Sequence, residues 1–94
     1  MALKITNYKV KGIPLEAGYI NIRNYNVNDK THIYGSVSIY FNKAVRDADK
    51  NNILETISFD FIDFDPSLPT LPQLYNKIRG LPAFANAEIA EEEV

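Results

Sequence analysis

Apolar and polar residues alternate most regularly over residues 31–42. Ile33, Val37, Ile39 and Phe41 share one parity, and His32, Tyr34, Ser36, Ser38 and Tyr40 share the other. A repeat of two predicts a strand with one buried face, its register fixed because a one-residue slip would turn the apolar set to water. Gly35 falls in the apolar row, where a missing side chain predicts a bulge or a neighbour packed close overhead. The same alternation recurs over 53–64, with Ile53, Ile57, Phe59 and Phe61 inward and Thr56, Ser58 and Asp60 outward. Over 18–27, Ile20 and Ile22 lie on one side and Tyr19, Asn21, Arg23 and Tyr25 on the other. The pattern is looser over 3–11, where Ile5, Tyr8 and Val10 mix with Lys4, Thr6 and Lys9; this predicts an edge-like first strand stopped at Gly12-Ile13-Pro14.

Short polar segments join these strands. Asn26-Val27-Asn28-Asp29-Lys30 supplies turn residues that tolerate left-handed backbone, and the charged stretch 43–52 reads as an exposed connection with a short helical turn around 44–48. After Asp65-Pro66 the period changes. Leu71, Leu74, Tyr75 and Ile78 stand at i, i+3, i+4 and i+7, one face of a helix. Thr70 is the expected cap and Gly80 the expected left-handed end. Leu81, Pro82 and Phe84 are expected to fold back on the sheet. The predicted fold is α+β: a four-stranded antiparallel meander, strands about 3–11, 17–27, 31–42 and 53–64, with one C-terminal helix over about 71–79 packed on one face. An acidic tail over 85–94 closes a single domain spanning 1–94.

Composition narrows the chemistry. With 46% hydrophobic residues, six Tyr and five Phe, the 94-residue chain has the material for one modest core. It has no Cys, one Met and one His, which rules out disulfides, thiolate metal sites and cysteine nucleophiles. The net charge of −2 conceals a split, because residues 1–50 carry eight Lys/Arg against four Asp/Glu and residues 51–94 carry two against eight. Halves of opposite sign can complement each other between subunits. No apolar run is long enough to span a bilayer, and a soluble protein without a secretory signal is expected.

Three constellations could carry chemistry. His32 is the first candidate for acid–base work, but no Ser or Asp spacing around it implies a triad, and it reads as a solvated or subunit-contact residue. Asp60, Asp63 and Asp65 are oxygen ligands of the kind calcium takes, yet strand geometry points Asp60 away from the other two and no glycine-bearing calcium loop follows. A small hydrolase or metal enzyme would need His32 and these carboxylates to converge. Tyr19, Tyr25, Tyr34 and Tyr40, interleaved with Arg23 and His32, are predicted to form an outer face suited to protein contact. Nucleic-acid binding is not expected, since the chain is slightly acidic and has no Lys/Arg stripe. Isolated glycines provide no phosphate loop, so no cofactor is expected.

The order of segments resembles small proteins encoded among the structural genes of tailed bacteriophages and prophages. The resemblance is carried by Ile5-Thr6-Asn7-Tyr8-Lys9, by Gly18-Tyr19-Ile20 with Ile22, and by Val37-Ser38-Ile39-Tyr40 followed by Lys43 and Arg46-Asp47. Its longest piece runs from Leu74-Tyr75 through Ile78-Arg79 to Leu81-Pro82-Ala83-Phe84-Ala85-Asn86-Ala87; the acidic end from Glu91 departs from the family. The resemblance implies a non-enzymatic virion component of the tail, baseplate or neck, found in the host cytoplasm before assembly. Its partners would be copies of itself and other virion proteins, as a homo-oligomer or lattice member, with no membrane contact. The expected contact residues are Lys4, Lys9 and Lys11 on the first strand, Tyr19, Arg23, Tyr25, His32, Tyr34 and Tyr40 on the outer face, and Glu91, Glu92 and Glu93 in the tail. The alternative is a small phage or host inhibitor or adaptor that binds one intracellular protein target.

Overall fold

The computed structural model describes residues 2–90. The chain forms β1 (Ala2–Ile5), β2 (Tyr8–Val10), β3 (Ile13–Leu15), β4 (Gly18–Asn28), β5 (His32–Tyr40), α1 (Lys43–Ala48), β6 (Glu55–Phe61), α2 (Thr70–Arg79), a 3-10 turn (Pro82–Phe84) and β7 (Glu88–Ala90). The fold is α+β. Its main sheet has the order β6-β5-β4-β1-β7, antiparallel throughout, so the expected meander of four strands is present and a fifth is added.

The first expected strand, 3–11, is two strands and not one. Asn7 takes φ 57° and breaks the chain between β1 and β2. Lys11 and Gly12 then take φ 50° and 83°, the pair of left-handed residues that a two-residue hairpin needs to match strand twist. β2 and β3 close on this turn as a separate ribbon, with Val10 opposite Ile13 and Lys9 opposite Pro14. Nor does β1 lie at an edge. The segment expected to be an acidic tail supplies β7, which pairs Leu3 with Ile89 and Lys4 with Glu88 on the far side of β1.

Strand β4 corrects the expected parity. Ile22 pairs with Val37, but Asn24 pairs with Ser36, so Arg23 is an extra residue in a bulge. Beyond it the faces exchange: Tyr25 and Val27 join the row of Gly35 and Ile33, while Asn24, Asn26 and Asn28 face outward with Ser36, Tyr34 and His32. Gly35 is where the backbones crowd. A Cβ there would stand 2.1 Å from the Asn24 carbonyl oxygen and 2.7 Å from the Tyr25 Cα, so no larger residue fits.

α2 covers the inner face of the sheet as its periodicity predicts. Leu74, Tyr75 and Ile78 are buried in one core with Leu3, Ile5, Ile20, Ile33, Val37, Ile39 and Phe59, whereas Leu71 is left exposed. Thr70 is the first helical residue and Pro69 precedes it as the cap, without a side-chain hydrogen bond. Gly80 keeps right-handed φ −74°, because the chain tightens into the 3-10 turn instead of reversing through a left-handed residue. Phe84 is thereby returned to the core and stacks on Tyr8. α1 is capped by Asn42, whose Oδ1 accepts from Val45 N–H at 2.8 Å, and it packs against β4 and β5.

Candidate functional site

The outer face of the sheet holds the predicted chemistry, and it divides into a sealed end and an open end. At the sealed end Tyr19 and Tyr40, paired across β4 and β5, are buried with Ala2 and with Ile53 packed against them. Arg46 of α1 lies with its guanidinium carbon 5.0 Å above the Tyr19 ring. Its Nε is 2.8 Å from Asp47 Oδ1, and its Nη1 donates to Asn21 Oδ1 at 3.3 Å. The Tyr40 hydroxyl donates to the Lys50 carbonyl at 2.7 Å, which ties the end of the α1 connection to the sheet. Two of the four tyrosines expected on a contact face are thus core residues. The charged connection over 43–52 shelters that end of the sheet.

Toward the other end, His32 and Tyr34 remain on the outer face with Asp60 of β6. His32 Nε2 lies 2.5 Å from Asp60 Oδ1, and the imidazole leans on the Tyr34 ring at 5.5 Å. The side chains of His32 and Asp60 are 33% and 65% exposed, so the contact between them is open to water. The other two carboxylates go elsewhere. Asp63 Oδ1 meets Lys77 Nζ of α2 at 2.8 Å, and that hydrogen bond, with the lysine's charge, holds its carboxyl below the usual range. Asp65 accepts from the Ser67 hydroxyl and amide at 2.7 and 2.9 Å, which likewise lowers it. His32 therefore meets one of the three aspartates, and among the described residues no three metal-ligating side chains gather.

The remaining candidates scatter. Lys4 is exposed on β1, between Tyr19 of β4 and Glu88 of β7; Lys9 and Lys11 project from the β2–β3 ribbon. Arg23 is exposed at the bulge, and Tyr25, 41% exposed, is turned by that bulge to the face opposite Tyr34. Glu91, Glu92 and Glu93 lie outside the described residues. The four tyrosines form no common surface, because one bulge and one short helix separate them. The chain matches no protein-family model, no curated protein and no solved structure. No helix among the described residues is long and apolar enough to cross a membrane.

An open strand edge dominates this end of the molecule, on β4, which the expected meander places inside the sheet. β1 pairs with β4 only at Gly18, Tyr19 and Ile20, so beyond Ile20 β4 has β5 on one side and no strand on the other among the described residues. The Tyr75 hydroxyl reaches across the step and accepts the Ile22 N–H at 3.0 Å. An open cleft of about 490 Å³ lies there, with Arg23, Asn21, Leu71 and Tyr75 among its walls. From Asn24 to Asn28 every residue is exposed and none is charged. A free strand edge presents its outward N–H and C=O groups to any extended partner, and natural edges are commonly blunted by Lys, Pro or a bulge. Here the bulge comes before the open segment and leaves it bare. A signal for the bulge is present in the sequence: apolar residues on even positions at Ile20 and Ile22 give way to odd positions at Tyr25 and Val27.

Proposed function

We propose that the protein is a non-enzymatic structural component of a tailed-bacteriophage or prophage virion, present in many copies in the tail, baseplate or neck and held there by protein–protein contacts. The observation that carries this reading is the uncharged, solvent-facing edge of β4 at Asn24 to Asn28, with Tyr25 and Val27 on one side of it. An edge of this kind is a liability in a free monomer and an asset in an assembly, where strand addition satisfies its backbone. The resemblance of the 74–87 segment to proteins of phage structural genes gives the assembly its setting.

The test is the content of purified particles. Quantitative mass spectrometry is expected to find this chain at many copies per particle, in fixed ratio to the tail proteins. If the chain is missing from particles and is instead recovered in stoichiometric complex with one intracellular protein, the inhibitor or adaptor reading replaces this one.

A further inference from the structure

The open edge of β4 has a sequence that is nearly its own complement. Antiparallel pairing about Asn26 sets Asn24 opposite Asn28, Tyr25 opposite Val27 and Arg23 opposite Asp29. We infer that two copies of the chain join along this edge as a two-fold dimer in that register, making one sheet continuous through β4 of both. The inference rests on the reading that the protein works among copies of itself, and it names the contact.

Three observations select a second copy as the occupant. The first is charge. Arg23 and Asp29 bracket the uncharged segment, both are exposed, and neither has an ion-pair partner among the described residues. A two-fold axis at Asn26 brings each to the other's counterpart, twice per dimer. The second is the faces. Tyr25 and Val27 share the inner side and Asn24, Asn26 and Asn28 the outer. The pairing therefore matches an aromatic with a β-branched residue on one side and amides with amides on the other. The third is room: in this register the hairpin end at Lys30 meets Ile22 of the second copy, two residues short of Ile20, the last β4 residue paired with β1.

Charge reversal tests the register directly. Arg23→Glu and Asp29→Lys change exposed side chains, and Lys30 beside Asp29 already holds a lysine at φ 66°, so the second variant can keep the turn. Far-UV circular dichroism and a thermal melt of each establish that it folds. Sedimentation velocity over a concentration series is expected to give a wild-type dimer whose dissociation constant rises about tenfold in either single variant, as two attractive contacts become repulsive. Mixing the two single variants restores the dimer. In the mixed pair the glutamate introduced in one copy faces the lysine introduced in the other, and the first copy's unaltered Asp29 faces the second copy's unaltered Arg23. Only reciprocal contact across two copies gives that recovery. A wild type that stays monomeric up to roughly millimolar concentration, a dimer indifferent to both reversals, or a mixture that fails to recover would each overturn the inference. A monomeric single variant that enters particles at wild-type copy number would overturn it too, while leaving the virion reading standing. Rescue in the mixture, with the chain missing from particles, upholds the edge contact and removes only the virion reading.

Discussion

Tyr19-Ile20 and Asn26-Val27-Asn28 belong to one strand, pair with the same neighbour β5, and differ in everything else that surrounds them. Tyr19 and Ile20 are wholly buried, with β1 beside them, α1 on the outer side and the core on the inner. Val27 is 47% exposed, with no strand beyond it among the described residues. The facing strand does not share the contrast, since Ile33, opposite Val27, is fully buried with β6 on its other side. A strand's own residues make it extended; burial depends on what lies across each face and along each edge. The first half of β4 is built to hold the domain together, and the second is left available.

The sharpest way to break this contrast is to remove the covering. Leu74 is fully buried in the same core as Leu3, Ile20 and Ile39. Leu74→Ala is expected to cost about 2–5 kcal/mol, the lost transfer energy plus the cavity. Val27→Ala, measured on the monomer, should stay within about 0.5 kcal/mol. Urea denaturation reads both as shifts in midpoint at unchanged slope. Equal losses would mean that the two halves of β4 depend on packing alike, and the division between them would fall.

How much of this was legible in the sequence depends on range. The helix face at Leu74, Tyr75 and Ile78 was, because a repeat of three and four is set locally and survives packing. So was the crowding at Gly35, since an apolar row that skips one side chain leaves few explanations. The strand at Glu88–Ala90 was not. Ile89 stands alone among alanines and acids, and only its place opposite Leu3, at the far end of the chain, makes it a strand. The tyrosine face failed for a related reason. Period-two reasoning assumes that a strand has no extra residue, so the bulge at Arg23 moved Tyr25 to the other side. Tyr19 and Tyr40 were lost to that face because α1 settles on them, a contact made by a segment that looks solvated from its charges alone.

A smaller effect belongs to the boundary between the two halves. Tyr75 is a core residue of α2, yet its hydroxyl takes the Ile22 N–H at the step where β1 ends. Tyr75→Phe keeps the ring and removes the acceptor, leaving a half-buried backbone donor to find water through the neighbouring cleft. The expected loss is about 1 kcal/mol, the net worth of an ordinary hydrogen bond. Amide exchange at Ile22 should quicken more than at Ile20, which lies within the β1-paired segment. Equal protection at both positions in the variant would show that the step needs no hydroxyl to close it.

The smallest effect lies in acid, at the tie between α2 and the chain that leaves β6. Lys77 stretches its ammonium group to 5.9 Å from the Phe61 ring centre and to 2.8 Å from Asp63 Oδ1. The hydrogen bond from Lys77, with the lysine's charge behind it, outweighs the slight desolvation of Asp63 and lowers its affinity for a proton in the folded state. The unfolded chain, where an aspartate titrates near ~3.9, therefore binds that proton first. The pair's contribution to stability is complete above that value and drains away as pH falls through the lower, folded one. Because Asp63 is exposed, the contribution is small and is screened by salt. Asp63→Asn keeps the side chain's size and removes the titration, so its stability should fall less steeply below about pH 4 than the wild type's, with the curves closest in strong acid. The lowered Asp47 and Asp65 carboxyls titrate alike in both proteins and cancel in the difference. Parallel curves throughout would mean that Lys77 serves Phe61 by lying along it, and that the carboxylate merely accompanies it.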